Sequence, residues 1–139
     1  MDDSAPILLI EDNLDDITSI KQALKDLNVS NQLICLNNGI IALKRLIRKN
    51  NQIPCVILIN LNMPNINGIR YLMNIKSDEK LKEIPIIALT TSRKEQNVIE
   101  SYKLGVAGYI VKPVDYKKFV EAIMTTNLYW LLYRTPIMN

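Results

Sequence analysis

The sequence predicts an α/β protein of the doubly wound kind, a five-stranded parallel sheet covered by helices on both faces. Two observations carry that expectation. Five short apolar runs rich in β-branched residues recur along the 139 residues, each too short for a buried helix. Between them, apolar residues return at intervals of three and four, the spacing of an amphipathic helix. Strands alternating with helices build βαβ units, and these close into a parallel sheet.

The runs are residues 7–10, 33–36, 56–59, 86–89 and 107–111. After the first, Leu14, Ile17, Ile20, Leu24 and Leu27 mark a helix; after the second, Ile40, Leu43 and Ile47 mark another. Residues 56–59 and 86–89 are continuously apolar and residues 7–10 similar, as central strands shielded on both faces should be. The last helix starts at Asp115, a good N-cap, and runs through Val120, Ile123 and Met124. It is expected to continue into Tyr129, Trp130, Leu131, Leu132 and Tyr133, stopping before Pro136. Five consecutive large residues cannot all face one core. The favoured expectation is an exposed apolar patch meeting another copy of the chain, with Tyr129, Trp130, Leu132 and Tyr133 at the interface. The alternative is that the end tucks under a neighbouring loop. One domain is expected over residues 1–139, with a core over 5–126, an apolar helical extension over 127–139 and no separate output domain.

Composition narrows the function. With 48% hydrophobic and 22% charged residues the chain is an ordinary soluble globular domain, large enough to bury a core without staples. The net charge of +3 is too mild to imply nucleic-acid binding. The cluster KRLIRK at 44–49 is interrupted by Leu46 and Ile47, as on the solvated side of a helix. The start, MDDSAP, is acidic where a secretory signal would be basic, and no apolar run spans a membrane, so a cytoplasmic location is expected. Cys35 and Cys55 form no CxxC pair and are expected to be buried reduced thiols. Histidine is absent, which excludes Ser-His-Asp and Cys-His nucleophiles, most zinc sites and a phosphohistidine carrier.

Chemistry collects at the carboxyl ends of the predicted strands, where open α/β sheets place their ligands. The first strand ends in Glu11-Asp12, the third in Asn60, the fourth in Thr90 followed by Thr91 and Ser92, and the fifth in Lys112-Pro113. Adjacent carboxylates suit a hard divalent cation, which takes oxygen ligands and keeps several waters. A lysine across the cleft neutralises an anion as a point charge, and a hydroxyl donates to a phosphoryl oxygen. Each residue singly has an ordinary explanation: a helix dipole for the acids, a turn for Thr90, a loop for Lys112. Asp15 and Asp16 are assigned to the dipole. Convergence of the others points to a metal-bound phosphoryl group.

At these residues the chain resembles the receiver domain of two-component response regulators. The matching segments are ILLIEDN (7–13), VILINLNMPNINGI (56–69), IPIIALTTS (84–92) and GYIVKP (108–113). The Thr-Thr-Ser ending and the tail with Tyr129-Trp130 are similar to the small stand-alone regulators of bacterial phytochromes. The resemblance implies a flavodoxin-like (βα)5 fold with strand order 2-1-3-4-5. It implies that Glu11 and Asp12 are magnesium-binding acids, that Asn62 offers its backbone carbonyl, that Thr90 is the switch hydroxyl and that Lys112 pairs with phosphate. It further implies that the rotamer of Tyr109 follows Thr90 and that the Lys112–Pro113 bond is cis.

The departure falls on the reactive atom, because receivers carry aspartate where this chain has Asn60. An amide nitrogen, its lone pair delocalised, does not attack phosphorus. No phosphate acceptance at Asn60 and weakened Mg2+ binding are therefore expected. With two carboxylates facing Lys112 in place of three, the metal-free state should gain about 1 kcal/mol. Three origins of Asn60 stay open: natural loss of phosphorylation, alteration of an otherwise phosphorylatable regulator, or drift in a chain with 15 asparagines.

The leading functional expectation is a signalling module working through protein contacts: a sensor histidine kinase, phytochrome-like, or a protein effector, with homodimerisation. No nucleic acid, membrane or organic cofactor is expected. Enzymatic readings fare worse. EDNLDD after the first strand would repel the phosphate of FMN, and it lacks the DxD spacing of a haloacid-dehalogenase phosphatase.

Overall fold

The computed structural model describes residues 5–48, 52–63, 67–126, 128 and 132, without the side chains of Leu43 and Ile47. Five parallel strands, β1 (Ile7–Ile10), β2 (Leu33–Leu36), β3 (Val56–Asn60), β4 (Ile86–Thr90) and β5 (Gly108–Val111), form one sheet in the order β2-β1-β3-β4-β5. The helices between and after them are α1 (Leu14–Asp26), α2 (Gly39–Ile47), α3 (Gly68–Ser77), α4 (Arg93–Ser101) and α5 (Tyr116–Thr125). This is a flavodoxin-like (βα)5 fold, with the strand order the resemblance implied.

Alternation along each strand divides the core in two. Ile7 and Leu9 face a layer with Ile20 and Leu24 of α1 and Phe119 and Ile123 of α5. Leu8 and Ile10 face the opposite layer, with Ala42 of α2, Leu72 and Ile75 of α3 and Ile99 of α4. Residues of β1, β3 and β4 are all buried, which explains their unbroken apolar character. β2, at the edge, is only half-buried, and Cys35 within it and Cys55 before β3 are half-buried free thiols, not the buried ones expected. Burial still raises both thiol pKa values.

The asparagines are partly explained by the helix starts. Asn13, Asn38 and Asn67 are the N-caps of α1, α2 and α3, each side chain accepting from an amide of the first turn. Ser92 and Asp115 do the same for α4 and α5. Asn28, at φ 58, closes α1 in the left-handed conformation that asparagine tolerates.

Three periodicity assignments need correction. Leu14 is 77% exposed and Ile40 is 57% exposed, although both fall on the apolar spacing. Each sits in the first turn of its helix, where the axis is just leaving the loop, and the buried stripe of α2 is carried by Ala42 and Leu46. The third concerns the tail. α5 ends at Thr125, whose C-cap Thr126 returns its hydroxyl to the Ala122 carbonyl at 2.6 Å. Leu128 and Leu132 are not helical, and both are buried in the α1/α5 layer. Leu132 is thus a core residue here and not the exposed interface residue expected; Tyr129, Trp130 and Tyr133 lie outside the described residues. No helix among the described residues is long and apolar enough to cross a membrane.

Candidate functional site at the strand ends

Register brings the site together. Ile10 pairs with Ile59, so the next residues, Glu11 and Asn60, meet at the carboxyl edge. Asn60 pairs with Leu89 and Thr90 with Val111, which sets Thr90 and Lys112 on the same edge. All four predicted positions converge, and the Lys112–Pro113 bond is cis.

Glu11 is the centre, fully buried and surrounded by donors. Its Oε1 accepts from Asn60 Nδ2 at 2.8 Å, from the amides of Asp12 and Asn13 at 3.0 and 3.1 Å, and from Lys112 Nζ at 3.2 Å. Its Oε2 accepts no hydrogen bond but lies 3.2 Å from the same ammonium. Asn60 is oriented by these partners. With Nδ2 on the carboxylate, Oδ1 accepts from the Asn62 amide at 2.9 Å. Flipping the amide would set oxygen against oxygen and N–H against N–H.

Lys112 does not stand free across the cleft. Its ammonium also lies 3.1 Å from Asp16 Oδ2, while Asp16 Oδ1 accepts from the Val114 amide at 2.9 Å. Burial works to lower the lysine pKa, but the Asp16 hydrogen bond and the Glu11 charge outweigh it and hold the value above that of an ordinary lysine. Asp16 therefore corrects the dipole assignment. It is in the first turn of α1, yet it is 3% exposed and ties α1 to the β5–α5 loop. Its neighbour Asp15 is exposed, in keeping with a dipole role.

Thr90, fully buried, meets a residue that sequence reasoning missed. Its hydroxyl donates to Glu95 Oε1 in α4 and accepts from the Ser92 amide at 3.2 Å. The Asn62 side chain joins them, donating to Thr91 Oγ1 at 2.8 Å and to Glu95 Oε1 at 3.1 Å. The available signal was the S-x-x-E pattern of Ser92 and Glu95, a capping box that places a glutamate at the helix start. Tyr109 pairs with Ala88, two residues short of Thr90, and is half-buried against the α2/α3/α4 layer. Burial, and then the Glu100 charge, raise its hydroxyl pKa.

For a divalent cation the donors are of the right kind, hard oxygens, but not free. Both Glu11 oxygens face Lys112, Asn60 presents nitrogen to Glu11, and the carboxylate of Asp12 is exposed. No group of three metal-ligating side chains exists among the described residues. To hold Mg2+, Glu11 would have to give up its contacts with Lys112 and Asn60. The Asn60 amide nitrogen at the centre of the site is a hydrogen-bond donor, its lone pair delocalised, and is not itself a nucleophile.

Comparison with known proteins agrees with this construction. Residues 7–124 match the response regulator receiver domain family. Response regulator Rcp1 of Synechocystis sp. is 35% identical over 137 residues, which cover 94% of this chain and 93% of that protein. The solved bacteriophytochrome response regulator RtBRR is similar with a TM-score of 0.82 at 36% identity, covering 98% of this chain and 82% of the other. Rcp1 solved in its Mn2+-bound form gives 0.75 at 33% identity, covering 96% and 99%.

Proposed function

The chain belongs to the response regulator receiver domain family, close to the phytochrome-associated regulators, and from that premise we propose that it signals by binding a protein partner without accepting phosphate at Asn60. The observation that carries this reading is the 2.8 Å hydrogen bond from Asn60 Nδ2 to buried Glu11. An ionised aspartate could not make it, because it has no proton to donate and would repel the Glu11 carboxylate. The amide is built into the network as a donor.

In this reading Asn60 holds the phosphoacceptor position, Thr90 is the switch hydroxyl, Tyr109 the aromatic that follows it, and Lys112 the former phosphate partner. Glu11, Asp12 and the Asn62 carbonyl form a divalent-cation site too weak to fill while Lys112 and Asn60 engage Glu11. The protein is not an enzyme. Its partners are a sensor histidine kinase of the phytochrome-associated kind or a protein effector, and it pairs with a second copy. The receiver spans residues 5–126, and the tail beyond packs Leu128 and Leu132 against it.

A second reading has one observation in its favour. Glu11, Asp12, Thr90 and Lys112 all stand at the carboxyl edge, as in a working receiver altered only at residue 60. One experiment addresses both. The protein and Asn60→Asp are incubated with acetyl phosphate and Mg2+ and weighed intact. The expected outcome is no phosphoryl adduct on the chain as it stands and one on Asn60→Asp. An adduct on the unaltered chain would sink the phosphate-independent reading. No adduct on either protein would remove the second.

A further inference from the structure

One carboxylate oxygen at the start of α4 joins two loops that the sheet leaves separate. Glu95 is the third residue of α4, and its amide donates to the N-cap Ser92 Oγ at 3.3 Å. In an ordinary capping box the glutamate would return to the N-cap amide. Here the Ser92 amide goes to Thr90 Oγ1 at 3.2 Å, and Glu95 Oε1 reaches further back. It accepts from the Thr90 hydroxyl, from the Thr91 amide at 3.3 Å and from Asn62 Nδ2 at 3.1 Å. Asn62 lies 33 residues earlier, in the β3–α3 loop. Helix capping accounts for the Ser92 contact but not for this convergence. A hydroxyl, a backbone N–H and an amide NH2 directed at one anionic oxygen are donors suited to a phosphoryl or carboxylate oxygen.

We propose that Glu95 is a tethered anion that fills an oxyanion corner made by Asn62, Thr90 and Thr91, fixing the β3–α3 and β4–α4 loops without any phosphoryl group. The inference rests on the strand-end site being that of a receiver that signals without phosphate. It adds that the chain supplies the anion itself. The surface at the start of α4 then keeps one arrangement whether or not a kinase is present.

Amide hydrogen exchange on the full chain tests this, with Glu95→Ala and Glu95→Gln beside the unaltered protein and inorganic phosphate as the probe. Glu95→Ala should exchange about tenfold faster in both loops, including at Asn62, because an untied loop opens locally at little cost. Phosphate should restore protection to Glu95→Ala and leave the unaltered protein unchanged, since its corner is filled. Glu95→Gln, which keeps a neutral acceptor, should fall between. Unchanged exchange around Asn62 in Glu95→Ala would reduce Glu95 to a helix cap, and loss of protection that phosphate does not restore would equally overturn the proposal. If Glu95→Ala does not fold, Glu95→Gln decides: loosening of both loops supports the tether, and none refutes it. Phosphorylation of the unaltered chain is read separately by mass, so an adduct there would remove the phosphate-independent reading while leaving the exchange result standing.

Discussion

Asn60 and Glu11, both buried, are joined by a 2.8 Å hydrogen bond in which the amide is the donor. Asn60→Asp replaces that donor with an acceptor and adds a charge beside a carboxylate that is fully buried. Repulsion alone suggested a cost of about 1 kcal/mol; the lost hydrogen bond raises it to about 2 kcal/mol in metal-free buffer at neutral pH. Urea unfolding in EDTA measures it. Mg2+ should return part of the loss to Asn60→Asp and shift the unaltered protein little. Equal stabilities without metal would mean that Lys112 already neutralises the added charge.

Asp16 and Lys112 give the site its alkaline dependence. The folded-state pKa of Lys112 lies above the ordinary lysine value, so the folded protein holds that proton more tightly than the unfolded chain. The resulting stability is complete below about pH 10 and is lost as pH rises through the folded value. Asp16→Asn removes one of the two carboxylates that raise it. It should cost about 2 kcal/mol at neutral pH, since it strips a partner from a largely buried ion pair. The alkaline fall in melting temperature should also begin at lower pH than in the unaltered protein. Melting curves between neutral and strongly alkaline pH would refute the pairing if the two profiles were parallel.

How much of this was legible in the sequence depends on what each position needs. The strands were legible because β1, β3 and β4 are buried on both faces, and burial leaves an apolar run that no other constraint blurs. Parallel pairing then carried Glu11, Asn60, Thr90 and Lys112 to one edge. Leu14 and Ile40 misled because a period names a face without saying where the face begins to touch the sheet. Asp16 and Glu95 were missed for a related reason. Acids in a first turn satisfy the helix dipole wherever their side chains point, so composition cannot separate an exposed Asp15 from a buried Asp16.

Gly68 illustrates a constraint opposed to helix propensity. It opens α3, where alanine would ordinarily stabilise a helix by up to about 1 kcal/mol. A Cβ there would stand 2.7 Å from the Leu61 carbonyl oxygen and 2.8 Å from its Cα, both backbone atoms just past β3. Backbone cannot rotate away as a side chain can. Gly68→Ala should therefore destabilise by about 2 kcal/mol, the scale of overpacking in a tight interior. Because the shift falls on the loop that carries Asn62, exchange at the Asn62 amide should rise with it. A variant as stable as the parent would show that α3 can slide to make room.

Leu132 decides between the two fates considered for the tail. It is 6% exposed and sits in the layer formed by α1 and α5, alongside Leu128. Truncating a buried leucine loses its transfer free energy and leaves a cavity, so Leu132→Ala should cost about 3 kcal/mol. If Leu132 serves the fold of its own chain, that loss will be the same at every protein concentration. Subunit contacts behave differently, because mass action ties their contribution to protomer concentration. Thermal unfolding across a wide concentration range separates the cases. A deficit in Leu132→Ala that shrinks as protein is added would return Leu132 to an interface between chains; a constant deficit keeps it in the core.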